Sequence, residues 1–99
     1  MTKAVKRKVK IVPFDASEFL DSSEAIAAYL DAAMRESDPD VFVRALGDVV
    51  RAKGVAAIAT QAGIGRESLY KTIAPGSAPR YDTVWKLLDA MGVRLHVGA

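Results

Sequence analysis

Residues 54–73 read GVAAIATQAGIGRESLYKTI, two short helical patterns joined by a Gly-Ile-Gly turn. The first pattern, Val55–Ala62, ends at Gly63; Ile64 and Gly65 make a tight connection, and Arg66–Ala74 forms the second, closed by Pro75-Gly76. Two helices packed this closely need a small residue where they cross, and Ala59 supplies it. The turn needs a residue that tolerates positive φ, and Gly63 supplies that. Leu69 and Ile73 stand one turn apart and can both point inward, with Ile58 and Ile64 completing a small core. Once they do, Arg66, Glu67, Tyr70 and Lys71 fall on other faces.

The flanking sequence reads as more helix. Ser22 or Ser23 starts the first, with Glu24 in its first turn and Ile26, Tyr29, Leu30, Ala33 and Met34 at helical spacing. Asp38-Pro39 is a cap followed by proline at the first helical position. The helix it opens carries Phe42, Leu46, Val49 and Val50 on one face and stops at Gly54, which suits a left-handed cap. Tyr81–Met91 is the last helix, with Val84, Leu87, Leu88 and Met91 inward and Gly92 after it. Short strands are expected at Lys8–Phe14, where Val9 and Ile11 alternate with lysines, and at Val93–Val97. The expected fold is therefore all-α, a five-helix domain over residues 14–99 with the motif at 54–74, short terminal strand segments, and a basic arm at 1–13.

Composition narrows the function. With 51% hydrophobic residues among 99, the chain reads as one folded domain. It has no apolar run long enough for a membrane span, and no apolar segment follows the basic N-terminus as a signal peptide requires. Cysteine is absent and histidine occurs once, at His96, so thiolate and histidine-rich metal sites are excluded and a cytoplasmic location is expected. No nucleophile–base pair, phosphate loop or metal cluster is visible, so neither an enzyme nor a cofactor is expected. Net charge is only +2, but it is unevenly spread. Residues 1–12 carry +5, residues 13–43 carry −7 and residues 44–99 carry +4. A polyanion is repelled by the middle and attracted to the two ends.

Two abutting short helices with a cationic second helix are the arrangement of a helix-turn-helix, whose second helix enters the major groove of double-stranded DNA. Arg66 can donate two hydrogen bonds to guanine. Glu67 either accepts from a cytosine amino group or orients Arg66. Lys71 reaches a base edge or a phosphate. Gly65 and Ser68, with the backbone amides of helix starts, suit phosphate contacts. Tyr70 fits either stacking on the DNA backbone or a half-buried packing role. Arg80, in the following loop, can approach the backbone. Trp85 reads as the edge of the core or a dimer interface. The competing reading makes the motif structural and gives the acidic segment to a protein partner.

The segment 54–73 is similar to the helix-turn-helix of Cro and lambda-repressor-type proteins. More narrowly, Phe14-Asp15, Leu20, Tyr29-Leu30, Ile58-Ala59, Arg66–Lys71 (RESLYK) and Pro79–Thr83 resemble the pattern of addiction-module antidote proteins, often described as prophage DNA-binding proteins. Met91-Gly92 stands where that pattern closes on Leu-Gly, and Val55-Ala56 stand where many Cro-type domains place a phosphate-holding glutamine. The resemblance implies a repressor-like homodimer that binds an operator palindrome and represses its own operon. It also implies a RelE/ParE-like toxin as partner, or, for an orphan member, regulation alone.

Overall fold

The Ser22 hydroxyl accepts the Ala25 amide at 3.1 Å, and Asp38 Oδ1 accepts the Asp40 amide at 2.9 Å. These caps satisfy backbone donors left open at a helix start. They begin α1 (Ser23–Met34) and α2 (Pro39–Lys53) in the computed structural model, which describes residues 20–99. Three helices follow, α3 (Val55–Ala62), α4 (Arg66–Thr72) and α5 (Tyr81–Ala90). Among the described residues there is no strand, and the fold is all-α.

Each helix sends at least one fully buried anchor into a common core: Ile26 from α1, Leu46, Val49 and Val50 from α2, Ile58 from α3, Leu69 from α4 and Leu87 from α5. Burial of side chains of this size contributes about 1.5–3 kcal/mol each before chain entropy is set against it. α1 packs on α2, while α3 touches α2, α4 and α5 and so sits at the centre. The Tyr29 hydroxyl donates to Asp48 Oδ2 at 2.6 Å, tying α1 to α2 by a polar link beside the apolar one.

The turn between α3 and α4 is built as its residues require. Gly63 has φ 74 and ψ 32, a left-handed conformation. Its N–H donates to the Thr60 carbonyl at 3.2 Å, and the Ile64 N–H donates to the Ala59 carbonyl at 3.0 Å. This pair of bonds is a Schellman motif, and its apolar clasp is half-buried Ile64 over buried Ala59.

Gly54 departs from expectation. Its φ is 104, but its ψ of 117 lies outside the left-handed helical region. The reason is that α3 begins at the next residue. The Gly54 N–H closes α2 on Val50 at 2.8 Å, and its carbonyl opens α3 by accepting the Ile58 amide at 3.0 Å. A left-handed ψ belongs to a chain that turns away and runs on; here one residue serves both helices.

The segment Val93–Val97 forms no strand. The Val93 N–H instead donates to the Leu88 carbonyl at 3.0 Å, finishing α5, and Val93 is buried while Leu95 is half-buried. The alternation that suggested a strand marks a tail with one side against the helices. The expected strand at Lys8–Phe14 and the basic arm 1–13 lie outside the described residues. α4 stops two residues short of the expected Ala74, and its Thr72 hydroxyl donates back to the Ser68 carbonyl at 2.9 Å.

Candidate nucleic-acid interface

α4 presents the residues picked out by the sequence. Gly65 is its N-cap, with φ −71 and ψ 148, and its carbonyl accepts the Leu69 amide at 3.0 Å. Leu69 is fully buried and Ile73 is 3% exposed, so the helix is pinned along one side. A Cβ built on Gly47 of α2 falls 3.0 Å from Arg51 Nη1 and 3.4 Å from the Ile73 Cβ, so α2 and the residue that ends α4 pass close to one another. With that side spent on the core, Arg66, Glu67, Ser68 and Lys71 are exposed, and Tyr70 is 52% exposed. Tyr70 thus stands with the open row rather than with the core.

The row is electrostatically open. Among the described residues Arg66, Glu67 and Lys71 take part in no ion pair. Arg66 precedes Tyr70, and Glu67 precedes Lys71, by one turn each, so a cation stands at both ends of the exposed surface. Such a surface offers forked and point donors to acceptors on base edges and phosphates.

Arg80 behaves differently. It belongs to a different element, as the N-cap of α5. Its Nε is 3.1 Å from Asp82 Oδ1. The hydrogen bond from Arg80 holds the Asp82 carboxyl below its usual range. A surface pair of this kind is weak and can be exchanged for a stronger anion. Still, the approach of Arg80 to a DNA backbone competes with a carboxylate two residues away.

Two features went unread in the sequence. Thr60 and Gln61 are exposed at the end of α3, beside the turn. They are the only polar side chains of VAAIATQA, and that was the available signal. The second is backbone capping. α1 and α2 are capped by side chains, whereas α3, α4 and α5 have no side-chain cap hydrogen bond. The N-cap residues of these three helices leave the first N–H groups to other partners.

A family described as probable addiction module antidote protein matches residues 10–99. The chain belongs to this family. It is also 38% identical over 84 residues to an uncharacterized protein of Haemophilus influenzae, covering 85% of this chain and 87% of that one. No solved structure matches. The family match runs through the whole of the described fold, so the α3–α4 pair and the exposed face of α4 lie inside the matched region. No helix among the described residues is long and apolar enough to cross a membrane.

Proposed function

We propose that this antidote-family chain is a sequence-specific DNA-binding antitoxin that represses its own operon, with a helix-turn-helix of the Cro and lambda-repressor type formed by α3 and α4. One observation carries the reading. α4 is locked by buried Leu69 and Ile73, while Arg66, Glu67, Ser68, Tyr70 and Lys71 stand exposed around the rest of the helix. A structural helix at this position needs the anchors; it does not need an unpaired arginine and lysine on its exposed surface.

In this reading Arg66, Glu67 and Lys71 contact bases, and Gly65, Ser68 and Tyr70 contact sugar and phosphate. Arg80 joins them once phosphate displaces Asp82. A homodimer reads a palindrome with half-sites about one helical turn apart. The test is fluorescence anisotropy with the DNA upstream of the protein's own gene against a random duplex. Binding to the upstream DNA should be tighter, and log affinity should fall linearly with log salt as counterions are released. Absent or salt-insensitive binding overturns the reading.

A toxin partner is the complementary half of the proposal. Residues 21–43 carry six carboxylates against the single Arg35, a net −5, on α1, its two flanks and the start of α2. A basic toxin of the RelE/ParE-like kind fits that surface and leaves α4 free. Co-purification with the product of the neighbouring reading frame tests it.

A further inference from the structure

Two openings in the surface meet along α1. The first is lined by Ser23, Glu24 and Ala27 of α1 and by Gly92 and His96 of the tail. The second runs on from Ala27 past Leu30 and Asp31 to Met34, with Leu88 and Leu95 opposite. Ala27, Val93, Arg94 and His96 line both, and all but Val93 are exposed, so the two form one groove between α1 and the tail. A Cβ built on Gly92 falls 3.8 Å from the Ser23 Cβ, so the tail passes close by the start of α1. The floor of the groove is apolar: Ala27, Leu30, Leu88 and Val93, with Met34 50% exposed at the far end. Its walls differ in sign. Glu24 and Asp31 stand on α1, and Arg94 stands on the tail.

We propose that the chain's own residues 8–13, KVKIVP, dock in this groove, with Val9 and Ile11 on the apolar floor and Lys8 and Lys10 toward the acidic wall. Pattern, charge and length select this occupant. In an extended segment alternate residues share a side, so Val9, Ile11 and Pro13 fall together, opposite Lys8 and Lys10. An apolar floor beside an acidic wall matches that alternation. Residues 1–12 carry +5 and no acid, whereas α1 lies in the segment that carries −7. Arg94 repels the lysines from the tail side and leaves them Glu24 and Asp31. Among the described residues Glu24 is in no ion pair. Asp31 meets Arg35 at 3.1 Å, but both side chains are exposed, and such a pair is weak.

Length fits as well. The chain enters the core at Leu20, 3% exposed, just ahead of the Ser22 cap and the Ser23 end of the groove. Residues 14–19 connect the segment to that point, and such a connection reaches about 20 Å when extended. Ser23–Met34 rises only about 16 Å, so the connection can set the segment beside any part of the groove. Five extended residues also cover about 16 Å, the length of α1. Docking lays the cations of the arm against the acidic surface that repels a polyanion. The proposal does not rest on the DNA reading: operator binding can fail and leave it standing.

The chain has no cysteine, so thiol pairs can be introduced into the full chain without background. Ile11→Cys with Ala27→Cys should be joined by a short bis-maleimide about tenfold faster than Ile11→Cys with Gln61→Cys, because docking raises the effective concentration of one thiol at the other. Gln61 lies on α3 and does not line the groove. The joined product should keep the mass of one chain. Glu24→Lys with Asp31→Lys should slow the joining, Lys8→Glu with Lys10→Glu should slow it too, and the four changes together should recover it. Ile11→Asp should lower Tm by about 4–8 °C in a domain of this size, while Val5→Asp, outside the segment, should leave it unmoved. Equal joining rates at Ala27 and Gln61 overturn the proposal. So does a product of twice the mass, which would give the groove to a second copy. A Tm indifferent to Ile11→Asp, or charge reversals that change no rate, overturn it as well.

Discussion

Gly63 and Gly65 flank one isoleucine, and the same substitution should act on them in opposite ways. Gly63 has φ 74, and a Cβ there would meet no atom within 4 Å. Its alanine variant therefore suffers backbone strain without a clash. Holding a non-glycine residue in the left-handed region costs about 1–2 kcal/mol. Restricting the unfolded chain returns about 0.4–1 kcal/mol. Gly63→Ala should then lose about 1 kcal/mol. At Gly65 φ is −71, open to any residue, and the nearest foreign atom to a Cβ is Ser68 Oγ at 3.9 Å. Alanine is a poorer N-cap than glycine by several tenths of a kcal/mol, which offsets the same entropic gain, so Gly65→Ala should stay within about 0.5 kcal/mol of wild type. For a domain of this size 1 kcal/mol moves Tm by about 4–8 °C. Thermal unfolding followed by circular dichroism should show Gly63→Ala melting several degrees early and Gly65→Ala close to wild type. Equal losses at the two positions, or a neutral Gly63→Ala, would refute the left-handed turn on which the placement of α4 depends.

Three further outcomes follow from the described geometry. Arg66→Ala should weaken operator binding by about 1–3 kcal/mol and relax preference at one base pair in an anisotropy series of operator variants, with Tm unmoved because the side chain is exposed. Leu69→Ala empties a fully buried site and should lower unfolding free energy by about 2.7–5 kcal/mol in urea titration. Burial, then the hydrogen bond to Asp48, push the Tyr29 phenol up to about 12 from 10.0. A folded value above the unfolded one stabilises the protein fully below pH 10, and that contribution is lost as pH rises through 12. At 1.36 kcal/mol per unit, less a share screened by solvent, about 2 kcal/mol is at stake. The stability gap between wild type and Tyr29→Phe, measured by urea unfolding at stepped pH, should close between pH 10 and 12, and a constant gap contradicts the link to Asp48.

What was legible in the sequence was what local chemistry writes down. Ser22, Asp38-Pro39 and Gly63 act within a few residues of themselves, and each stands where its side chain or its lack of one predicts. The exposed surface of α4 was legible for the same reason: with Leu69 and Ile73 inward, helical geometry turns Glu67 and Lys71 out, and Arg66 is exposed at the first residue of the helix. Contacts between elements were not. Gly47 looks like a weak point in a helix, and nothing in its spacing announces that Ile73, twenty-six positions on, packs beside it. Tyr29 and Asp48 are joined across nineteen positions with no spacing rule to announce the pair. Val93–Val97 misled because alternation records which side faces the protein, whether or not a neighbouring strand exists. The pairing of Arg80 with Asp82 went unread because it exists only once the start of α5 brings the two side chains within reach.

The single-residue joint at Gly54 determines where this protein tolerates changes in length. One extra residue between α2 and α3 would swing every later side chain of α3 by about 100° and push it 1.5 Å along the axis. α3 is gripped by α2, α4 and α5 together, so the swing would be felt in all three packings. The eight-residue connection 73–80 has slack to absorb such a change. Grafting a tag or a sensor into the chain is thus a matter of address: the loop before α5 has room for it, and the joint ahead of α3 has none.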